Sequence, residues 1–251
     1  MSFGHGHGRI VLTYPAAVPR LRPALPALLA LLLVATACGA HEDASQRTAA
    51  GRERQARDLA RRAGLSVDVQ DFLARYAAAS ASHFEVTYAA SASGTTVVLV
   101  QDPPRRRVDL VTPPVTRSIF VTSEGTFNCA LENRKWSCQK SAQQESTPGL
   151  LSPTDIEREV SQLKAAKLNY IFKVSSRKLA GVSARCLAVT PRLGAAGAGG
   201  RSDWCLSAEG AVLLFEGSAN PNPLKAARYT THVDGRRLQL PAAPSPVPPG
   251  S

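Results

Sequence analysis

The chain has 251 residues, of which 44% are hydrophobic and 20% are charged, and its formal net charge is +11. This length and composition are typical of a globular protein and allow one domain or two small ones. The positive charge favours contact with anionic surfaces, lipid headgroups included. It does not indicate nucleic-acid binding, because the basic residues are not interleaved with aromatic ones and no recognition motif is present.

Residues 1–37 have the three-part pattern of an export signal. A basic segment ends at Arg20 and Arg22, an apolar run follows from about residue 24 to residue 34, and small residues then lead to Cys38. The apolar run is too short for a transmembrane helix, which needs about 20 residues. We therefore predict a signal peptide over residues 1–37 and an exported protein.

The stretch VATAC, residues 34–38, resembles the lipobox of bacterial lipoproteins, with Ala35 where that motif usually has leucine. The resemblance implies that Cys38 is acylated on sulfur and becomes the mature N-terminus. It also implies an anchor on the outer face of the cell membrane. Two or more acyl chains would hold the protein there stably, since each buried CH₂ contributes about 0.8 kcal/mol. The alternative is a secreted protein without an anchor.

Assigning Cys38 to lipid leaves an even set of cysteines: Cys129, Cys138, Cys186 and Cys205. An exported protein meets an oxidising environment, so an even set indicates disulfide bonds. A two-residue turn at Asn133-Arg134 would place Cys129 opposite Cys138 at a non-hydrogen-bonded position of a hairpin. Their Cα atoms would then be about 4.5 Å apart, which is within disulfide range.

The second predicted bridge, Cys186–Cys205, spans the glycine-rich loop PRLGAAGAGGRSD. That loop would bring the strands SARCLAVT and DWCLS opposite each other. Functional alternatives are weak, because there is no CxxC for thiol exchange and the spacings do not suit a zinc cluster. We predict two structural disulfides and no metal site.

The first elements after Cys38 are helical. Residues 38–65 are polar and rich in Ala, Arg, Gln and Glu, which predicts a partly helical tether. The stretch SVDVQDFLARYAAASA then predicts an amphipathic helix, because its apolar residues follow the i, i+3, i+4, i+7 spacing: Val69, Phe72, Leu73 and Tyr76.

Short β-rich runs occupy most of the remaining chain. Six of them lie between His83 and Lys140, separated by the turn signals Ser93-Gly94, Pro103-Pro104, Pro113-Pro114, Glu124-Gly125 and Asn133-Arg134. Five more lie between Tyr170 and Asp234. Short connections imply neighbouring antiparallel strands, hence two meanders with about eleven strands in total. The proline-rich end, residues 241–251, is predicted to be disordered.

A second helix interrupts the strands. Ser152 suits its N-cap, Pro153 its first turn, and Asp155 completes a capping-box pattern. Its predicted buried face consists of Ile156, Val160, Leu163 and the aliphatic stem of Lys164.

This element order over residues 66–240, with phrases such as RRRVDLVTP and RSIFVTSEGTFNC, resembles the lipoprotein carrier and receptor fold of LolA and LolB. It is also similar to the LppX and LprG group of exported lipoproteins. The resemblance implies an α+β half-barrel, in which a strongly curved, incompletely closed antiparallel sheet wraps around helices. It further implies an apolar cavity for acyl chains, although no ligand-binding residue can be assigned from it. An ordinary filled core is the alternative.

Catalytic chemistry has little support in the sequence. The chain after Cys38 holds three histidines, His41, His83 and His232, and no recognised hydrolase, zinc-protease or phosphate-loop motif. We therefore predict no cofactor and no enzymatic activity. The expected function is a lipid-anchored extracytoplasmic protein that binds a lipid or lipid-linked ligand. The alternatives are an envelope protein-interaction or sensor module of the same fold and, third, an exported enzyme with His83 and His232 in one cleft.

Overall fold

The computed structural model describes residues 48–89, 94–141, 156–193, 200–217 and 223–245. All of them belong to one of two compact units of the chain, Glu42–Ser251. The other unit, Met1–His41, lies outside the described residues, and so do the predicted signal peptide and Cys38.

Three α-helices occur in the described residues: α1 (Ala49–Arg62), α2 (Val67–Ala78) and α3 (Ile156–Ala166). Helix α1 begins at Thr48, whose hydroxyl accepts a hydrogen bond from the Gly51 N–H at 3.1 Å. It packs against α2 through small residues, Ala56 and Ala60, that are fully buried. The sequence predicted a helix within the tether but not this packing. The buried alanines of α1 are interspersed with charged residues, so the sequence of α1 does not show an apolar face.

Twelve strands form one sheet: β1 (Phe84–Tyr88), β2 (Thr96–Asp102), β3 (Arg105–Thr112), β4 (Val115–Thr122), β5 (Gly125–Glu132), β6 (Lys135–Lys140), β7 (Tyr170–Leu179), β8 (Val182–Pro191), β9 (Ser202–Leu206), β10 (Val212–Gly217), β11 (Leu224–Thr230) and β12 (Pro244–Ser245). Their spatial order is β12-β6-β5-β4-β3-β2-β1-β11-β10-β9-β8-β7. The first meander, β1–β6, therefore joins the second, β7–β11, through the pairing of β1 with β11. The two outermost of the described strands, β12 and β7, do not pair with each other, so the sheet is open.

The strand count exceeds the predicted eleven by one, because the chain's C-terminal end adds β12. Pro244 and Ser245 pair in parallel with Cys138 and Gln139 on β6, which makes the sheet mixed rather than purely antiparallel. These two residues lie in the tail that was predicted to be disordered. Proline is tolerated here because the strand is at an edge of the sheet, where its missing N–H is not needed.

Two-residue turns connect β2 through β6. Their positions match the sequence signals, except that residues 123–124 form the turn predicted at Glu124-Gly125, and Gly125 opens β5. At Asn133 and Arg134 the backbone has φ values of 50° and 63°, the left-handed conformation that a tight hairpin turn requires.

Ile156 and Val160 of helix α3 are buried in the hydrophobic core, and Leu163 packs against that core. The prediction for Lys164 was wrong, since this residue is exposed in the last turn of the helix. Ser152, Pro153 and Asp155, the predicted capping residues, lie outside the described residues.

The main core lies between the helices and the second meander. Its centre is an aromatic group around Trp204, whose ring centroid is 5.3 Å from Phe72, 4.5 Å from Tyr76 and 6.4 Å from Phe215, all edge to face. Gly210 lets the β9–β10 turn approach α2, because a Cβ there would stand 2.0 Å from the carbonyl oxygen of Arg75.

Candidate ligand-binding groove

Strand register shows which face of the sheet the helices cover. Directly paired residues lie on the same face, and one such row runs across the second meander: Val174, Leu187, Trp204, Phe215 and Leu224. The first four of these side chains pack into the core beneath the helices. Ala226 follows Leu224 by two residues, so it lies on the same face, and it pairs with Tyr88 of β1. The helix-covered face therefore continues into the first meander as the face that carries the Tyr88 side chain.

Two registered rows carry the same face across the first meander. One row starts two residues before Tyr88 and contains Val86, Leu99, Val108, Ile119, Asn128 and Gln139. The next contains Val97, Leu110, Arg117, Ala130 and Ser137. The first row is buried and apolar near β1, whereas the second is only half-buried at Val97, and both become exposed and polar toward β6. The face that the helices cover on the second meander therefore becomes open on β3–β6.

A groove with a volume of about 440 Å³ lies on this open part of the face. It is bordered by Leu110, Arg117, Ser118, Ile119, Asn128, Cys129, Ala130, Ser137 and Gln139. Seven of these residues belong to the two rows just described, and alternation places the Ser118 and Cys129 side chains on the opposite face. The groove is thus a product of register, and its size falls within the range of about 300–1,000 Å³ that is usual for ligand sites.

The chemistry of the groove is amphipathic. Leu110, Ile119 and Ala130 supply apolar surface, and Leu110 is 40% exposed. Arg117 lies directly opposite both Leu110 and Ala130 and is exposed. Within the described part of the chain no carboxylate pairs with its guanidinium. Apolar surface next to an available cation suits a ligand with a hydrocarbon part and an anionic group.

The opposite face of the first meander is closed by the C-terminal segment. A short 3₁₀ helix, Gly235–Leu238, buries Leu238, and Leu240 and Ala242 pack against Phe120 and Phe127. The C-terminal segment therefore covers this face of β4 and β5.

A buried ion network lies beneath that segment. Arg107 donates to Asp109 at 2.6 Å and to the carbonyl of Arg237 at 2.9 Å, and the Ser118 hydroxyl donates to Asp109 at 2.6 Å. Arg237 also pairs with Glu85. The Arg107 guanidinium lies over the rings of Phe120 and Trp136, 4.9 and 5.9 Å from their centroids. Because every charge in it has a partner, we interpret this network as structural.

A second cavity, of about 350 Å³, lies between the helices and β8. Charged residues surround it, but they largely neutralise one another: Arg57 pairs with Asp71 at 3.0 Å and with Glu53 at 3.6 Å. Arg185, on β8, is bound to Asp68 at 2.6 Å. This charged cleft has little apolar surface and is a weaker candidate for a hydrophobic ligand.

Two polar side chains, Gln101 and Arg106, lie on the groove face but do not line the groove. The Gln101 amide donates to the Ser82 carbonyl at 3.0 Å and to the Ala79 carbonyl, which fixes the start of β1 to β2. Its registered neighbour Arg106 is mostly buried, and burial lowers the pKa of its guanidinium.

Tyr88 anchors the apolar end of the groove face. Its hydroxyl donates to the Val212 carbonyl at 2.8 Å, and burial raises the pKa of its phenol well above the ordinary range. On the same face, Tyr229 donates to Glu209, and burial together with that carboxylate raises its pKa as well.

The structure contains two disulfide bonds, and they join the pairs that the sequence indicated. Cys129 and Cys138 face each other on β5 and β6 with Cα atoms 4.1 Å apart. Cys186 and Cys205 face each other on β8 and β9 with a separation of 3.9 Å. Cys38, the predicted lipid attachment point, lies outside the described residues, as does His41.

The histidines are placed at one end of β1 and β11. His83 precedes β1 and its Nδ1 lies 2.5 Å from Asp102, while His232 follows β11, two residues after the partner of Glu85. Neither residue lines the groove or the charged cleft. The hydrogen bond from Arg105, followed by that from His83, holds the pKa of Asp102 below its usual value. Among the described residues no group of three or more His, Cys, Asp or Glu could hold a metal ion.

The helices of the described part of the chain are short. None of the helices there combines the length and the hydrophobicity needed to cross a bilayer.

Comparisons with known proteins give little. No family model matches the sequence, and no curated protein matches it. One solved structure that is similar is a DUF1329 family protein from Desulfovibrio piger, with 11% sequence identity and a TM-score of 0.21. The match covers 66% of this chain and 74% of the other.

No sequence signal singled out the groove residues. Strand β4, VTRSIFVT, alternates in a way that fits a half-buried strand, yet alternation alone does not say which face stays uncovered. The exposed Arg117 within an apolar row is the one feature that could have pointed to a binding surface.

Proposed function

We propose that the protein is an exported lipoprotein, anchored through lipid on Cys38, whose groove binds an acyl-chain ligand without chemical conversion. The observation that carries the proposal is the groove on β3–β6, on the same face of the sheet that the helices cover elsewhere. The lipobox-like sequence before Cys38 and the order of helices and strands support it. A strongly curved half-barrel of the carrier type is part of the proposal.

The groove dimensions and lining define the ligand class. About 440 Å³ has room for a single acyl chain rather than a whole multi-chain lipid. The chain would lie along Leu110, Ile119 and Ala130, and an anionic headgroup would pair with Arg117. An ion pair at this half-open position would contribute modestly, so most of the affinity would come from the apolar contact.

A titration with a fluorescent fatty acid tests ligand binding. Ala130→Trp would fill the groove and is expected to lower the affinity at least tenfold. Ala227→Trp, at an exposed position on β11, should bind like the wild type. Arg117→Glu should weaken binding of the fatty acid but leave binding of the matching fatty alcohol nearly unchanged. Unaltered affinity in Ala130→Trp would rule out the groove as the site.

The anchor has a separate test. Intact-mass measurement of the protein from a membrane fraction should show a chain that begins at Cys38 and carries acyl groups. An unmodified Cys38 would overturn the anchor while leaving the groove hypothesis in place.

A further inference from the structure

Exposed hydrophobic side chains are concentrated at one end of the β7–β8 hairpin. Five large hydrophobic residues among those described are markedly exposed, and one of them, Leu110, lies in the groove. The other four are Val67, Leu168, Ile171 and Leu193, with exposed fractions of 70%, 78%, 49% and 106%. Exposed apolar residues that lie together indicate an interaction surface.

Backbone contacts bring three of these residues to one end of the hairpin, and one side-chain contact connects that end to the turn before Val67. Tyr170 pairs with Pro191 at the open end of the hairpin, and the Arg192 N–H donates to the Asn169 carbonyl at 2.9 Å. Leu168, Ile171 and Leu193 therefore flank the same hairpin end, with Ile171 on the face of β7 that the helices do not cover. The Lys167 ammonium reaches the turn between α1 and α2, 3.5 Å from where a Cβ of Gly64 would stand. Val67 begins α2 directly after that turn.

Cations surround this apolar group. The last turns of α1 and α3, the residue after α3 and the end of β8 contribute five exposed basic side chains: Arg61, Arg62, Lys164, Lys167 and Arg192. Two acids lie beside these cations and both are paired: Asp58 with Arg61 at 2.9 Å and Asp68 with Arg185 at 2.6 Å. The net positive charge therefore comes from Arg62, Lys164, Lys167 and Arg192. We call this combination of four apolar and five basic residues the basic–apolar patch.

We infer that the basic–apolar patch docks onto the surface of an anionic lipid bilayer, with the apolar side chains inserted at the headgroup level. Cations attract anionic headgroups, and apolar side chains that protrude between those cations can enter the interface. A second copy of the chain is a poorer occupant, because a two-fold contact would bring two positive patches together. This surface lies outside the groove and does not depend on acylation of Cys38.

Hydrogen exchange measured by mass spectrometry on the full chain tests the inference. The chain is mixed with vesicles of phosphatidylcholine alone, or of phosphatidylcholine with an equal amount of phosphatidylglycerol. With the anionic vesicles, exchange in residues 61–68 and 167–171 should slow by about fivefold or more, the effect of at least one headgroup contact. With the neutral vesicles it should stay unchanged.

Two double variants identify the residues responsible. Val67→Ser with Leu168→Ser, and Arg62→Glu with Lys167→Glu, should each abolish the slowing. Both change exposed side chains, so their unfolding midpoints should equal that of the wild type. Lys178→Glu with Arg134→Glu, which makes the same charge change at exposed residues elsewhere, should keep it. Leu110→Ser should also keep it.

Three outcomes would overturn the docking surface. One is a chain that binds both kinds of vesicle, as measured by flotation in a density gradient, but shows no slowing of hydrogen exchange at the basic–apolar patch. Another is slowing without vesicles that grows with protein concentration, which would make a second copy the occupant. The third is an equal loss in the Lys178→Glu, Arg134→Glu control. Failure of the anchor would appear separately, as loss of flotation with neutral vesicles.

Discussion

The two meanders of the sheet are built alike but covered differently. The second meander carries three helices on one face, and its contact with them is apolar and aromatic around Trp204. The first meander leaves that same face open on β3–β6 and is instead covered on the opposite face, by the C-terminal segment over the Arg107 network. The second meander thus holds the main core, while the first meander is buried near β1 and presents a surface on β3–β6.

Side-chain rows explain the difference. On the shared face the second meander places Val174, Leu187 and Trp204, which lose water favourably beneath a helix. On the same face, the first meander carries the polar residues Arg117, Asn128 and Gln139. Burying polar side chains beneath a helix without hydrogen-bond partners there would cost free energy. Burial therefore follows the composition of each row, and the polar rows of the first meander remain accessible to a ligand.

The largest expected effect tests the helix-covered half. Phe72→Ala removes a fully buried ring that contacts Trp204 and should lower the free energy of unfolding by about 3–5 kcal/mol in urea denaturation. Ile119→Ala, in the half-buried groove, should cost about 1 kcal/mol because little water is excluded there. Equal costs would contradict the division into a core half and a surface half.

A smaller effect is expected in the ion network of the first meander. Asp109→Asn leaves the Arg107 guanidinium without its carboxylate at a site where Asp109 is 5% exposed, and should cost about 2–3 kcal/mol. The matched change Asp71→Asn breaks an exposed pair with Arg57 on the helices and should cost less than about 1 kcal/mol. Thermal unfolding of both variants compares them. A negligible loss in Asp109→Asn would show that Asp109 contributes little to the stability of the ion network.

The smallest effect concerns acid stability at the turn between β2 and β3. The pKa of Asp102 is lowered in the folded chain, chiefly by Arg105, so its carboxylate stabilises the fold above the ordinary Asp pKa. That contribution is lost as the pH falls through the lowered pKa. Asp102→Asn should therefore be slightly less stable than the wild type at neutral pH, and the gap should close below about pH 4. Urea midpoints from pH 7 down to acid pH measure it, and a gap that widens on acidification would refute the assignment.

The strand pattern could be predicted because its signals are local. Paired turn residues and alternating side chains indicated two meanders, and the hairpin at Asn133-Arg134 gave the register that joins Cys129 to Cys138. The two disulfides follow from that register and from the loop between β8 and β9. Local chemistry fixes these features, so the sequence contains enough information for them.

The covering of the sheet could not be predicted in the same way. Whether residues 244–245 pair with β6 depends on contacts between segments far apart in the chain. Helices α1 and α2 are neighbours in the chain, but which of their faces meet depends on the turn between them and on the sheet below. The groove depends on which of two faces the helices select, and alternation along a single strand is silent about that choice. Its residues are therefore visible only once the strands are placed side by side.

An open sheet has two edges, and each is a template on which another chain could add a strand. At one edge β12 occupies part of β6 with two residues, one of them a proline that cannot donate a hydrogen bond outward. At the other edge β7 carries exposed Lys173, Arg177 and Lys178 along its length. A second β7 arriving there would meet like charges, so this edge is protected against edge-to-edge aggregation.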